Sequence, residues 1–261
     1  MALLTNNLQR IRKLLSFDAV GVLSAWSWNS QCSEERIQIL TKDESSPSKC
    51  ALPVWKRVID IVGATAGLLL LSPVLLFIAS LIKFVSPGPI LFSQLRVGYR
   101  GKIFKIWKLR TMRQYADPRA HQNLVSALIK NGRPMAKLDV KNDPRLIPFA
   151  RVWRAAGLDE LPQLLNVLRG EMSIVGPRPC IPYEAQQYEP WQLERFDAVP
   201  GLTGLWQVSG KNRTTFDEMV RLDIAYARRI SLWLDITIIL KTVPAIIVQI
   251  VDSLTIHEKV K

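Results

Sequence analysis

The segment GLDELPQ, residues 157–163, places two adjacent carboxylates, Asp159 and Glu160, at the predicted start of a helix. Unpaired N–H groups and the helix dipole favour negative charge there, so the position keeps a carboxylate ionised and attracts phosphate. Two neighbouring carboxylates can act together, one as a nucleophile and the other as a ligand of a divalent cation. The structural alternative is that Asp159 caps a helix beginning at Glu160, with Pro162 tolerated in its first turn.

A second candidate is the segment VGPRP, residues 175–179, in which Pro177 and Pro179 stiffen the chain on both sides of Arg178. A guanidinium held in this way offers a preorganised fork for phosphate oxygens. The alternative is a rigid turn that carries an ordinary surface arginine.

A third candidate is Asp223, which lies in the middle of an apolar stripe on the predicted helix TFDEMVRLDIAYARRI. A carboxylate in that position is either paired within the core or directed into a site. Both interpretations remain open from the residues alone. The stripe consists of Phe216, Met219, Val220, Tyr226, Ala227 and Ile230.

The glycine-punctuated segment GLWQVSGKN resembles a P-loop only superficially. Five residues separate Gly204 from Gly210, and Asn212 stands where a P-loop has Ser or Thr, so an NTPase is excluded. Lys211, on a glycine turn, remains a candidate contact for phosphate.

The elements that position these residues follow from the sequence pattern. Residues 89–112 predict two short strands joined by a turn at Gly98 to Gly101, and the second strand carries Lys108 and Arg110. The segment that begins at residue 144 predicts a basic helix, a break at Gly157 and a second helix that ends at Gly170. Residues 232–251 are apolar but contain charged residues and a proline, which favours a helix lying at a membrane interface.

Residues 61–82 form an uncharged apolar run of the length that spans a hydrocarbon core as a helix. Basic residues stand at both ends, the Lys-Arg pair at 56–57 and Lys83, and basic flanks prefer the cytoplasmic side. Ser72 and Pro73 divide the run, and a proline kinks a helix because it lacks the backbone N–H donor. A helix that enters the bilayer, bends there and returns explains both features, and a kinked spanning helix is the alternative.

The composition narrows the class of partner. Lys and Arg number 35 against 22 Asp and Glu in 261 residues, a formal net charge of +13, which suits nucleic acid, an anionic membrane or phosphorylated substrates. The presence of only two histidines, His121 and His257, nearly excludes chemistry that needs several of them. Cys32, Cys50 and Cys180 are widely spaced and odd in number, which indicates neither a disulfide framework nor a zinc cluster and fits a reducing compartment.

Taken in chain order, the motifs resemble those of the bacterial sugar transferases, which are monotopic polyprenyl-phosphate phosphoglycosyl transferases. The resemblance covers residues 55–245 nearly without interruption. It rests on KRVIDIVGA…LLSPVLL, GPILFSQLRVGYRGKIFKIWKLRTM, DPRLIPFARVWRAAGLDELPQLLNVLRGEMSIVGPRP, VPGLTGLWQVSGKN and LDIAYARRISLWLDITIILKTV.

The resemblance implies a mechanism. Asp159 would attack the sugar-bearing phosphorus of a UDP-sugar and release UMP, and undecaprenyl phosphate would then take the sugar-phosphate from the aspartate. The metal would be Mg²⁺, with Mn²⁺ as an alternative, held by Glu160, Asp159 and Asp223. Phosphate contacts would come from Arg178, Lys211, Arg213, Arg110 and Lys108.

The resemblance also implies a fold and a location. We expect a mainly α protein with a short β-hairpin, attached to one face of the bacterial inner membrane by a re-entrant helix broken at Ser72 and Pro73, with interfacial amphipathic helices. The catalytic domain would occupy residues 87–251 on the cytoplasmic face, after an N-terminal extension at 1–52 and a membrane helix at 53–86 and before a tail at 252–261. A homo-oligomer and downstream glycosyltransferases are further candidate partners.

Two departures from the family pattern bear on these expectations. Many members carry GRN where this chain has GKN, so Lys211 lacks a bidentate fork and Arg213 becomes the alternative phosphate contact. The first 52 residues are too short for the membrane bundle and soluble domain of long members, and their role stays open. Two other functions compete: a non-catalytic membrane scaffold for glycan enzymes, and a nucleic-acid binder, which leaves the lipid-seeking run unexplained.

Overall fold

A computed structural model describes residues 52–113, 123, 125–129, 145–211 and 214–258, with side chains up to residue 252 in the last stretch. Almost all of the predicted N-terminal extension lies outside this part of the chain. The described residues confirm a mostly helical fold with a small two-stranded antiparallel sheet.

The described residues include three 3₁₀ helices: Tyr99–Gly101, Leu158–Gln163 and Pro190–Asp197. The strands are β1 Leu91–Val97, β2 Ile103–Leu109, β3 Ser173–Val175 and β4 Gly201–Thr203. The helices are α1 Val54–Val85, α2 Ala150–Ala155, α3 Leu164–Arg169, α4 Pro182–Ala185, α5 Leu205–Val208, α6 Phe216–Arg228 and α7 Leu232–Glu258. Helix α7 therefore continues past the predicted start of a tail at residue 252.

Strands β1 and β2 form the predicted antiparallel hairpin, in a register that pairs Leu91 with Leu109 and Val97 with Ile103. The turn closes through a hydrogen bond from the Gly98 N–H to the Lys102 carbonyl, 2.9 Å long. Gly101 adopts a φ of 74°, which favours glycine because it has no Cβ.

A second sheet, which the sequence did not predict, pairs β3 with β4 in parallel. Each strand has only three residues, too few to show an alternating pattern in the sequence. The two segments approach closely beyond the pairing, since a Cβ placed on Gly201 would lie 2.0 Å from the backbone nitrogen of Gly176. Glycine at this crossing therefore lets β4 press against the loop that follows β3.

Helix α1 runs through Pro73 without interruption, which differs from the predicted break into two helices. Pro73 has no N–H to donate to the carbonyl of Leu69, four residues earlier. The hydroxyl of Ser72 donates to that carbonyl instead, at 2.8 Å. This replacement bond accounts for the continuity of the helix.

One face of α1 packs against the rest of the fold along the whole helix. Near its start Ala64 joins a core cluster with Phe104 and Leu164, and near its end Ile78 and Ile82 join a second cluster. The opposite face is exposed and apolar, as shown by Leu69, Leu70, Leu76, Phe77 and Phe84. By length and composition alone, α1 and the part of α7 up to Asp252 could each cross a membrane.

Lys56 lies inside the fold rather than on the expected basic flank. Its side chain is 1% exposed, and its ammonium group donates to Asp235 at 2.5 Å, to the Val175 carbonyl at 2.9 Å and to the Tyr226 hydroxyl at 3.0 Å. Asp235, whose charge suggested an interfacial helix, is the buried partner of this lysine. The two charges therefore join α1 to α7.

Arg57 also has a structural contact instead of a position on a basic flank. Its guanidinium donates to the carbonyls of Val167 and Leu168, both at 2.6 Å. These carbonyls belong to the last turn of α3, where a cation is stabilised by unpaired acceptors and the helix dipole.

Candidate active site

The two predicted catalytic carboxylates lie together on the 3₁₀ helix Leu158–Gln163. This helix begins after Gly157, whose φ of 70° reverses the chain, and no side chain caps it. Asp159 is inside the first turn, so the capping alternative is wrong. Asp159 is 7% exposed, whereas the side chain of Glu160 is 36% exposed.

Strand β2 brings Lys108 to this pair of carboxylates. The Lys108 ammonium lies 2.6 Å from a carboxylate oxygen of Glu160. Burial raises the pKa of Glu160, but the charges of Lys108, Arg178 and Lys211 outweigh burial and hold the pKa well below its usual range. Glu160 is therefore ionised throughout the physiological pH range.

Asp159 has the opposite electrostatic environment. Burial raises the pKa of its carboxyl above the usual range; Lys108 opposes this increase, and Glu160 adds to it. The two neighbours thus have pKa values shifted in opposite directions, a pattern typical of carboxylates with different chemical roles.

A small, open pocket lies beside these residues. Its polar lining includes Glu160 but not Asp159, which lies next to it in the chain. Two of the five predicted cationic contacts for phosphate, Lys108 and Arg178, lie on the pocket wall. The polar wall is completed by three residues that the sequence did not indicate: Arg96, Gln163 and Gln207.

Two buried arginines hold the backbone of the loop that carries Arg178. Arg195, 1% exposed, donates to the Arg178 carbonyl at 3.0 Å, and Arg96, 6% exposed, donates to the Pro179 carbonyl at 2.9 Å. On either side, the Pro177 carbonyl accepts from the Gly201 N–H and the Cys180 carbonyl accepts from the Val97 N–H. Four successive carbonyls are thus fixed by three segments, β1, β4 and the 3₁₀ helix Pro190–Asp197, which preorganises the loop.

Comparison with known proteins identifies the chain. The family model described as bacterial sugar transferase matches residues 52–249. The chain belongs to this family.

The sugar transferase has curated relatives of several sizes. Over 193 residues it is 40% identical to the exopolysaccharide production protein ExoY of Rhizobium meliloti, covering 73% of this chain and 84% of that protein. Over 219 residues it is 42% identical to a UDP-glucose:undecaprenyl-phosphate glucose-1-phosphate transferase of Caulobacter vibrioides, covering 80% of this chain and 76% of that protein. Over 195 residues it is 41% identical to the galactosyl transferase CpsE of Streptococcus agalactiae, but the match covers only 42% of CpsE. These matches confirm the predicted class of enzyme, a phosphoglycosyl transferase.

Asp223 does not join the carboxylates of the sugar transferase, which differs from the metal-binding role expected for it. Its side chain is 1% exposed and pairs with Arg195 at 2.5 Å. The structure therefore favours the core-pairing interpretation of Asp223. Arg195 also donates to the Arg178 carbonyl. By pairing with Arg195, Asp223 therefore helps to position the Arg178 loop at the pocket.

Arg110 also differs from its expected role as a phosphate contact. Its guanidinium is buried and donates to the carbonyls of Ser86 and Pro87, at 2.7 and 2.5 Å. Arg110 thus ties the end of the hairpin to the C-terminal end of α1. The charge that made it a candidate is used to satisfy backbone carbonyls.

Lys211 lies close enough to the pocket to lower the pKa of Glu160. Its ammonium group donates to the side-chain oxygen of Gln249 on α7, at 2.9 Å. Its backbone has a φ of 26°, in a region that non-glycine residues rarely adopt. Arg213, the alternative phosphate contact, lies outside the described residues.

The dyad of the sugar transferase has a donor set that fits Mg²⁺. Mg²⁺ prefers oxygen ligands and is usually held by one or two carboxylates together with substrate phosphates and water. Asp159 and Glu160 supply two adjacent carboxylates beside a pocket with cationic walls. Within the described part of the chain, no three carboxylate, histidine or cysteine side chains gather into a larger metal cluster.

Proposed function

We propose that the protein transfers a sugar-1-phosphate from a UDP-sugar to undecaprenyl phosphate, releasing UMP and forming undecaprenyl-diphosphate-sugar. The proposal rests on one observation above the others: Glu160, one member of an adjacent carboxylate pair, contacts Lys108 at a pocket whose wall also carries the fixed Arg178 loop. The names of several relatives support the choice of acceptor and donor. One of them is an undecaprenyl-phosphate galactose phosphotransferase of Salmonella typhimurium. The product would initiate a surface glycan.

The reaction would proceed in two displacements. The Asp159 carboxylate attacks the sugar-bearing phosphorus, an aspartyl–phosphorus bond forms, and the bond to the UMP oxygen breaks. A phosphate oxygen of undecaprenyl phosphate then attacks the same phosphorus and releases Asp159 as a carboxylate. Arg178 and Lys108 offset the negative charge that gathers when anions meet. Mg²⁺ bound by Glu160 and Asp159 would supply further charge neutralisation on the donor phosphates.

The test of this function measures UMP release from a panel of UDP-hexoses with Mg²⁺ and undecaprenyl phosphate, with mass spectrometry of the lipid product. Galactose and glucose are the leading donors, since relatives named for each sugar match the chain at similar identity. We expect UMP and a lipid diphosphate-hexose in equal amounts. If no donor yields UMP while the protein binds other glycan enzymes, the scaffold alternative replaces this function.

Replacing Lys108 with Met should move the acid side of the pH–rate profile to higher pH. Lys108 lowers the pKa of Asp159, and attack requires the ionised form, so removing the ammonium raises the pH at which the nucleophile is protonated. The measurement is kcat/KM for UMP release across pH. Lys105→Met is the control, because Lys105 is exposed on the same strand but on the other face. An acid limb that does not move would contradict the assignment of Asp159.

We also propose that α1 is a re-entrant helix, bent at Pro73 while remaining one continuous helix, that holds the enzyme on the cytoplasmic face of the inner membrane. Support comes from its packing: both ends of α1 contact the same folded body, while the outer face is apolar and exposed. A spanning helix would carry its two ends to opposite sides of the bilayer.

Cysteine labelling in sealed vesicles tests the membrane arrangement. The positions are Val54 and Phe84, which are 80% and 91% exposed near the two ends of α1, whereas Lys56 is buried and unsuitable. Labelling of both cysteines from the same side is expected. Labelling from opposite sides would show that α1 spans the membrane.

A further inference from the structure

The register of the hairpin places an exposed aromatic side chain beside the active-site lysine. Phe92 on β1 pairs with Lys108 on β2. Directly opposed residues of an antiparallel pair project their side chains from the same face of the sheet and lie close together. Phe92 is 48% exposed and does not belong to the buried clusters of the described fold. It therefore stands next to Lys108, at the rim of the pocket.

The other side chains on this face of the hairpin make hydrogen bonds or line the pocket. Two positions further along β1, Gln94 accepts a hydrogen bond from Arg96 at 2.8 Å, and Arg96 lines the pocket. On β2, Ile106 is buried and lines the same pocket. From Arg96 to Phe92 the face thus changes from a polar, enclosed wall to an open apolar end.

The open end of this face lies beside the C-terminal end of the apolar helix α1. Arg110, which follows β2, binds the carbonyls of Ser86 and Pro87 just after α1. Phe84, two residues before Ser86, is 91% exposed on the apolar outer surface of α1. An apolar chain that leaves the lipid at this end of α1 meets Phe92 before it reaches Lys108.

We propose that Phe92 forms an acceptor subsite that binds the first isoprene units of the polyprenyl phosphate while its phosphate reaches Lys108. The inference rests on the proposed function and adds to it the site at which the lipid chain is bound. The pairing of an apolar side chain with a neighbouring cation matches an acceptor whose apolar chain ends in an anionic phosphate. The donor half of the reaction does not use this subsite.

The experiment compares Phe92→Ser with the parent enzyme in one detergent, using polyprenyl phosphates of two and of eleven isoprene units. We expect kcat/KM for the long acceptor to fall about tenfold, roughly what loss of half-buried aromatic contact supports. Activity with the two-unit acceptor should fall by a similar factor, because both acceptors carry the first isoprene units. The burst of UMP released without acceptor should be unchanged. Leu95→Ser is the matched control, since Leu95 is 47% exposed on the same strand but on the opposite face.

Several outcomes would overturn the subsite. A loss confined to the long acceptor, or equal losses in the two variants, would show that Phe92 does not bind the first isoprene units. A loss found in vesicles but absent in detergent would make Phe92 a membrane contact only. A photoreactive polyprenyl phosphate provides a test that needs no turnover: it should label β1 at Phe92 in the full-length protein, and labelling elsewhere overturns the subsite. Absence of UMP release from the parent enzyme would instead count against the proposed function.

Discussion

Replacing Asp159 with Asn should lower UMP release by at least about a thousandfold, the scale seen when a nucleophile is removed. The amide cannot form the aspartyl–phosphorus bond, so the covalent sugar-phosphate adduct should also be lost. Both are measurable, the first by a coupled UMP assay and the second by intact-protein mass spectrometry after donor is added without acceptor. Asp159 has only 7% of its surface exposed. Because the amide of Asn has the same size and shape as the carboxyl group, the variant should fit this buried position and leave the fold intact.

Two further variants make this result specific. Glu160→Gln removes the charge that binds Lys108 and should slow both displacements, while a slowly formed adduct on Asp159 remains detectable. Asp252→Asn is the control for an aspartate outside the candidate active site, because Asp252 is exposed on α7. An adduct that survives in Asp159→Asn and disappears in Glu160→Gln would transfer the nucleophile to Glu160, the dyad member that lines the pocket.

Replacing Lys56 with Met should lower the free energy of unfolding by about 3–5 kcal/mol, the cost of leaving one member of a buried ion pair alone. The variant strands Asp235, which is 2% exposed, without its cation. It also removes a donor from the Val175 carbonyl. Chemical unfolding in detergent, followed by tryptophan fluorescence, measures the change.

Two control variants distinguish the loss of the buried ion pair from the general effect of removing a charged side chain. Lys83→Met removes an exposed lysine near the other end of α1 and should change stability by less than about 0.5 kcal/mol. The double variant Lys56→Met, Asp235→Leu removes both charges and should recover much of the lost stability, since apolar replacement of a whole buried pair is often tolerated. A single Lys56→Met variant as stable as Lys83→Met would contradict the burial seen here.

Local patterns predicted the elements that depend on nearby residues. The hairpin follows from alternating residues around a glycine turn, and the helix end at Gly170 follows from a residue that adopts a φ of 81° without strain. The carboxylate pair was visible because its two members are adjacent. The capping interpretation of Asp159 could be excluded only with the structure, since it depends on where the short helix begins.

The errors concern charged residues whose partners are distant in sequence. Lys56 and Arg110 looked like surface cations, but the first pairs with a residue 179 positions away and the second binds the backbone after α1. Asp223 and Arg195 are 28 positions apart and meet only when α6 packs beside the 3₁₀ helix Pro190–Asp197. Composition records that a charge exists, whereas its partner is decided by tertiary packing.

The carbonyl of Val175, shared by Lys56 and Tyr226, has a consequence for when the enzyme becomes competent. Val175 ends β3, directly before the loop that presents Arg178, and Lys56 belongs to the first turn of α1. A newly made chain in which α1 has not yet docked lacks this support for the loop. Docking of α1 against β3 and α7 thus completes the support of the Arg178 loop.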